Sequence, residues 1–564
     1  MFKNRKTNYP LYDIRPLDSL RQLVDEGAQM YSEKAAFKFR ENKEIKSVSY
    51  KELKIQADSL GTALCVLGLE DKHIAIIGNN CYDWALSYLS VLLSSGVVVP
   101  VDKDLPIDDI KYILQYSDCS AVIYSKSCEE KVDLLLEELP DITHYICMGE
   151  PAAPDDVHYN LYDLVMRGKK LLLGGDKRFF DLEHNLDELK ELLFTSGTTG
   201  KSKGVMLSEH ILCFNIENSQ KMMWISDTCL SVLPYHHAYE STCGILTMMH
   251  HGMTICINET LRTLMPNFKV YKPTEVQLVP LFLEKMYRTI WDKIEEKGKT
   301  KAVKALIKTS NGLLKAGIDM RSIFFKDILA TFGGNCKSII CGGAQLKPYL
   351  PFFFTSMGIT LINGYGISEC GPLVTVNRPE FHDYESVGLP LPGVELRIDN
   401  PNESGEGEIC VKGANVMLGY YKNHEDTAKV IYGGWFHTGD VGKIGHDGFL
   451  FVTGRMKNVI ILSNGKNVYP EEIEDKLCAD CEYIEEAVVS TIDKGDGAGM
   501  VLGVEIYPCK ERIKLHNVTN AEDIIRKSVS AFNEREPAYK AVKSIVFRDT
   551  EFDKTTTKKI KRKY

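Results

Sequence analysis

No run in this 564-residue chain approaches the ~20 apolar residues that a membrane-spanning helix requires, so no span is expected. Positive charge is not in excess either. The 68 lysines and arginines face 77 aspartates and glutamates, and a net charge of −9 argues against non-specific nucleic-acid binding. The sixteen cysteines form no framework, which suits free thiols in a reducing cytoplasm and leaves the sequons at Asn258, Asn402 and Asn517 incidental. The basic start, Met1 to Asn8, is followed by no apolar signal core. The His236-His237 and His250-His251 pairs lack the i, i+4 spacing and carboxylate companion of a metal site. The lone Cys478-x-x-Cys481 lacks a second pair. Gly366-Ile367-Ser368-Glu369-Cys370 has a cysteine where a hydrolase nucleophile elbow needs its last glycine.

What remains is a globular composition, 44% hydrophobic and 26% charged, in a chain too long for one core. Residues 1–70 read as an amphipathic leading segment. Strand-like runs at 73–78, 97–100 and 121–124 then alternate with helix-like runs at 82–94 and 107–116. A second series has strands near 231–233, 276–280, 338–340 and 360–362. Such alternation predicts an α/β fold with two parallel sheets covered by helices, and a ligand crevice at strand C-terminal ends. From 388 to 451, glycines and prolines punctuate short runs, predicting a small antiparallel β subdomain. The chain turns polar near Gly454-Arg455, where we place the boundary between a large N-terminal domain (1–454) and a small mobile α+β C-terminal domain (455–564). Residues 284–330 predict basic helices, either a solvated face or a contact with an acidic partner or membrane surface.

The stretch Thr195-Ser196-Gly197-Thr198-Thr199-Gly200-Lys201-Ser202-Lys203-Gly204 follows the apolar run 192–194 and precedes a helix-like run from Ser208. A strand, a glycine-hydroxyl loop and a helix suggest a phosphate cradle: glycines admit the oxygens, hydroxyls donate, lysine supplies charge. The glycine spacing excludes an ordinary Walker A loop. Asn363-Gly364-Tyr365-Gly366-Ile367-Ser368-Glu369 follows another apolar run. Its glycines let a flat base approach the backbone beside Tyr365, and Glu369 offers the carboxylate that Mg²⁺ prefers alongside phosphate oxygens.

These segments resemble the adenylate-forming superfamily of acyl-CoA synthetases, luciferases and peptide-synthetase adenylation domains. The signature loop departs from the family form only in Phe194 for tyrosine and Ser202 for proline, and Ser368 replaces threonine in Tyr-Gly-x-Thr-Glu. The resemblance implies that Thr195, Ser196, Gly197, Thr198, Thr199, Gly200 and Lys203 handle ATP phosphates. It puts Mg²⁺ on Glu369 and Thr195, and adenine against Gly343, Ala344, Asn363, Gly364, Tyr365, Gly366 and Ser368. Trp435-Phe436-His437-Thr438-Gly439-Asp440 places Asp440 on the ribose, with Arg455, fifteen residues on, and Val452 joining the nucleotide set. Lys457 matches the hinge, Gly465 the thiol channel and His237 the edge of the acyl pocket. Aligned on Ile560 and Arg562, Lys559 is the catalytic lysine of the C-terminal motif, in a tail so basic that a plain solvated tail is the competing reading.

The implied activity is activation of a carboxylic acid by ATP to acyl-AMP and pyrophosphate, followed by transfer to coenzyme A. Pro280 to Met286 and the helical insert look most like the bacterial long-chain fatty-acid branch, pointing to a medium- or long-chain fatty acid. Two alternatives stay open: loading of a carrier-protein phosphopantetheine thiol, and a nucleotide-binding regulator without catalysis. The implied partners are small molecules (a carboxylate, ATP and CoA) with no nucleic acid. Peripheral membrane contact and oligomeric state stay open.

Overall fold

The computed structural model describes residues 7–136, 138–152, 156–183, 185–195, 202–225, 227–462, 467–493, 500–554, 560 and 562. The chain divides into two compact units. The first comprises Met1–Gly343, Pro348–Glu395 and Lys412–Phe436, the second Ala344–Lys347, Leu396–Val411 and His437–Tyr564.

Two sheets build the first unit. In one, the strands His73–Ile77, Val97–Val101, Cys119–Ser125 and His144–Met148 pair in parallel, and every residue of Val97–Val101 is buried. That is why they appear in the sequence as unbroken apolar runs: helices cover both faces of such a sheet. The helix Ile107–Tyr116 lies where its periodicity places it and buries Ile110, Ile113 and Leu114. The strand Leu189–Thr195 pairs in parallel with Val97–Val101 on one side. On its other side it pairs antiparallel with Lys203–Ser208, with Thr195 opposite Lys203.

That last pairing corrects one expectation. The glycine-hydroxyl stretch leads into a strand, not directly into a helix. Ser208 then caps the helix Glu209–Gln220, accepting from the Ile211 N–H at 3.3 Å. The described ends of the stretch therefore lie in a β-hairpin, and a helix N-terminus is not what receives it.

The second sheet is mixed. Thr228–Ser231, Thr254–Ile257, Glu275–Leu278, Ser338–Cys341 and Thr360–Gly366 are parallel neighbours. The leading segment contributes more than amphipathic helix. Ala35–Glu41 and Glu44–Ser49 form a hairpin whose Phe37 registers with Ile255 at the edge of this sheet. Ser49 then opens the helix Tyr50–Val66 with a reciprocal capping box to Glu52. The insert forms the helices Pro280–Glu296 and Thr300–Lys315, followed by the short helices Arg321–Phe324 and Lys326–Thr331.

In the second unit, strand residues 396–399, 407–411, 437–444 and 450–455 form a small sheet in which 450–455 pairs antiparallel with 440–444. Beyond it, Ile484–Asp493, Met500–Pro508 and Val542–Phe547 make a three-stranded sheet. Its core includes Val504, Ile506, Ile525, Val529 and Phe532, with Ile473 and Leu477 of the helix Pro470–Asp480. Among the described residues no helix is long and apolar enough to cross a membrane.

Candidate functional site

Ser196, Gly197, Thr198, Thr199, Gly200, Gly465 and Lys559 lie outside the described residues. The others fall into two groups, one in each compact unit.

In the first unit, Asn363, Gly364, Tyr365 and Gly366 are part of the strand Thr360–Gly366 rather than a loop after it. This strand changes partners midway. Thr360 to Asn363 pair in parallel with Ser338–Cys341, while Gly364 to Gly366 pair antiparallel with Leu373–Val376. The two glycines permit the second pairing. A Cβ on Gly366 would lie 2.4 Å from the Pro372 carbonyl oxygen, and one on Gly364 would lie 3.1 Å from that of Thr375. Buried Asn363 donates through Nδ2 to the Ser386 carbonyl at 3.1 Å. Tyr365 stays partly accessible. A single 3₁₀ turn, Ser368–Cys370, then presents Glu369.

Glu369 is 8% exposed, and its Oε1 accepts a hydrogen bond from the Tyr420 hydroxyl at 2.9 Å. Lys203 holds Asp426 Oδ2 at 2.7 Å, and its ammonium lies 5.0 Å from the centroid of the same Tyr420 ring. Both charged groups are therefore anchored to one short strand, Gly419–Tyr420, which pairs with Lys203–Ser208. A cavity of ≈ 290 Å³ opens there, lined by Tyr112, Tyr116, Lys203, Tyr420, Tyr421 and Asp426 among others. The donors suit Mg²⁺: Glu369 offers a hard carboxylate oxygen at the end of a strand and Thr195 a hydroxyl, and one carboxylate with phosphate oxygens is the set the ion takes with a nucleotide.

Gly343 adopts φ +84°, a left-handed conformation that favours glycine, directly after the strand Ser338–Cys341. His237 lies on the turn after Leu233, and its carbonyl accepts from the N–H groups of Glu240 and Ser241 at 2.8 and 3.0 Å. The π-helix Tyr239–Leu246 starts there, a geometry that recurs at functional sites. Its buried Glu240 accepts from Ser231 Oγ at 2.5 Å, which ties the start of this helix to the end of the strand Thr228–Ser231. Burial pushes the Glu240 carboxyl up to about 8 and the His236 imidazole down to about 4.

In the second unit, Asp440 and Arg455 are register partners across the hairpin, with Arg455 Nε 2.9 Å from Asp440 Oδ1. Asp440 is 4% exposed and Arg455 is exposed. The strand residues just before Asp440 are fastened to strand residues 407–411. Glu408 Oε1 accepts the Gly439 N–H at 3.0 Å, and its Oε2 lies 2.9 Å from His437 Nδ1. Thr438 Oγ1 donates to the Ile409 carbonyl at 2.8 Å while accepting the Asp440 N–H at 3.1 Å. Cys410 Sγ completes a thiol–imidazole–carboxylate cluster with these two side chains, 3.3 Å from His437 Nδ1. Val452 pairs with Gly442 on the same hairpin, and Ala344 and Lys457 are exposed. Both flanks of the basic tail are held. Lys554 pairs with Glu486 and bridges Ile560, and Arg562 Nη2 reaches Glu474 Oε2 at 2.5 Å.

Sequence reasoning overlooked Tyr420, Asp426, Glu408 and Glu240. Gly419-Tyr420-Tyr421 carries no charge signal. Glu408 opens the apolar run Ile409-Cys410-Val411, and Glu240 could have been suspected as the only carboxylate between Asp227 and Glu259.

The two α/β sheets and the Asp440–Arg455 hairpin define an adenylate-forming fold, and the comparisons with known proteins agree. The chain matches the AMP-binding enzyme family over residues 24–421 and the AMP-binding enzyme C-terminal domain over residues 457–564; it belongs to that family. It is 28% identical to the long-chain-fatty-acid–CoA ligase FadD15 of Mycobacterium bovis, over 77% of this chain and 73% of that protein. It is 31% identical to long-chain-fatty-acid–CoA ligase 6 of Rattus norvegicus over 76% of this chain, spanning 65% of the rat protein's length. Among solved structures, the anthranilate CoA ligase AuaEII in complex with anthranoyl-AMP superposes with a TM-score of 0.76 at 18% identity, covering 98% of this chain and 96% of that one. The o-succinylbenzoate CoA synthetase of Bacillus subtilis, in complex with its acyl-adenylate intermediate, gives 0.72 at 20% identity, with 96% of both chains covered.

Proposed function

We propose that this protein is an ATP-dependent fatty-acid–CoA ligase of the cytoplasm. The observation that carries the reading is the Asp440–Arg455 pair: a buried carboxylate, fixed by a 2.9 Å ion pair, at the residue that the resemblance assigns to the ribose. The identity to long-chain-fatty-acid–CoA ligases supports the substrate class, and the sixteen free cysteines support a reducing compartment.

In the first step, a carboxylate oxygen of the fatty acid attacks the α-phosphorus of ATP. The bond to the bridging oxygen breaks, and pyrophosphate leaves with the electron pair. Negative charge spreads over phosphate oxygens, so positioned cations matter more than a base. Lys203 is assigned to the phosphates and Lys559 to the α-phosphate. Tyr365 offers a ring for adenine to stack on. Asp440 accepts from the ribose hydroxyls while Arg455 fixes its orientation. Glu369 and Thr195 would hold Mg²⁺, which neutralises phosphate charge when bound. His237 edges the acyl chain.

In the second step, the thiolate sulfur of CoA attacks the acyl carbonyl carbon and AMP departs with the anhydride oxygen. Lys559 has no further task there. We assign residues 455–564 as a mobile domain turning about Lys457 to present the Gly465 segment to the thiol. Release of AMP, measured over carboxylates of increasing length with CoA or a phosphopantetheinylated carrier protein as acceptor, tests the reading.

A further inference from the structure

The short strand Gly419–Tyr420 lies between two groups that the proposed reaction needs. On one side, Met417 N–H donates to the Glu369 carbonyl at 2.9 Å, and Tyr420 Oη donates to Glu369 Oε1 at 2.9 Å. On the other, Tyr421 N–H donates to the Gly204 carbonyl at 2.8 Å, Tyr420 registers with Val205, and the Lys203 ammonium lies 5.0 Å from the Tyr420 ring centroid. That ring is 6% exposed, so its direction is set by packing.

The strand is itself held rigidly. Thr427 Oγ1 accepts the Tyr420 N–H at 2.9 Å and donates to the Asn423 carbonyl at 2.8 Å. Gly419 adopts φ +138°, and a Cβ there would lie 2.8 Å from Thr427 Cγ2, so a side chain at 419 would push the tyrosine aside. An ionised carboxylate only accepts, so in this 2.9 Å contact the phenol hydroxyl is the donor. A hydrogen bond to an ionised carboxylate is among the strong ones, and it fixes which oxygen faces elsewhere.

We propose that Tyr420 is a positioning residue: its hydroxyl orients the Glu369 carboxylate toward the metal–polyphosphate, and its ring seats the Lys203 ammonium beside the same phosphates. This rests on the roles given to Glu369 and Lys203 above. Tyr420→Phe keeps the ring and removes the hydroxyl, which isolates the first task. Tyr420→Leu removes both.

The full-length protein and its variants are titrated with Mn²⁺ in the presence of a non-hydrolysable ATP analogue. Bound metal is read by electron paramagnetic resonance and normalised to AMP-binding sites, so loss of folded protein does not register. Tyr420→Phe is expected to weaken metal binding about tenfold and to leave metal-free AMP binding unchanged. Tyr420→Leu is expected to weaken ATP binding without metal as well. In a Glu369→Gln background, Tyr420→Phe should change metal affinity by less than about twofold, because its effect passes through the carboxylate. Wild-type metal affinity in Tyr420→Phe, or an equal loss in the Glu369→Gln background, overturns the proposal. Failure of the wild type to release AMP with any fatty acid sinks the parent reading instead, and normal release with unchanged metal binding in Tyr420→Phe sinks only the positioning role.

Discussion

Asp440 and Arg455 face each other as register partners, Nε to Oδ1 at 2.9 Å, with the carboxylate buried and the guanidinium largely in solvent. With the guanidinium 45% exposed, solvent screens the pair and limits what it adds to stability. The arginine's value lies in holding the carboxylate in one rotamer. Asp440→Asn is therefore expected to leave the melting temperature nearly unchanged and to raise the KM for ATP roughly 10- to 100-fold, the loss of one or two charge-assisted hydrogen bonds. The loss should vanish when 2′,3′-dideoxy-ATP replaces ATP in pyrophosphate exchange. A constant penalty with both nucleotides would place Asp440 elsewhere.

The two half-reactions separate the roles of the C-terminal lysines. Lys559→Ala should abolish carboxylate-dependent pyrophosphate exchange, a drop of at least about 100-fold, and spare thioester formation from supplied acyl-adenylate. Lys457→Pro should do the opposite. Equal loss of both steps in either variant contradicts the division.

Gly366 has no room for a methyl group, since the Pro372 carbonyl oxygen would lie 2.4 Å from its Cβ. Gly366→Ala must separate Thr360–Gly366 from Leu373–Val376 where they exchange backbone hydrogen bonds. A loss of about 2 kcal/mol in urea unfolding is expected, with a larger drop in activity because the Ser368–Glu369 turn moves with the strand. A variant of native stability and activity would show that the strand end is soft.

Three buried carboxyls, Glu191, Glu240 and Glu275, are each raised to about 8 by burial. Such a group binds its proton more tightly when folded. Its stabilisation is complete below about pH 4.5 and is lost as pH rises through about 8. Unfolding free energy should therefore fall between about pH 4.5 and 8, and Glu240→Gln should flatten its share, roughly 4–5 kcal/mol. Parallel pH curves for wild type and Glu240→Gln would mean that this carboxyl is ionised in the fold.

Strands buried on both faces and the amphipathic helix Ile107–Tyr116 were legible because their signals are local. The strand Lys203–Ser208 was not. Its lysine and glycine read as the end of a loop, and only pairing with Leu189–Thr195 makes it a strand. The hairpin over residues 35–49 alternates Phe37 and Phe39 with charged neighbours, and its identity depends on an edge more than two hundred residues away, at Ile255. At the site, motif residues could be read one by one. Glu369 with Tyr420, and Glu408 with His437, are pairs that only folding brings within hydrogen-bond reach.

The central claim is tested most directly by incubating the protein with ATP, Mg²⁺ and CoA across straight-chain acids from two to eighteen carbons, quantifying AMP and acyl-CoA together. The account predicts one AMP per acyl-CoA, with a maximum among the medium or long chains. ADP formation, or AMP production that ignores the acid supplied, would contradict it.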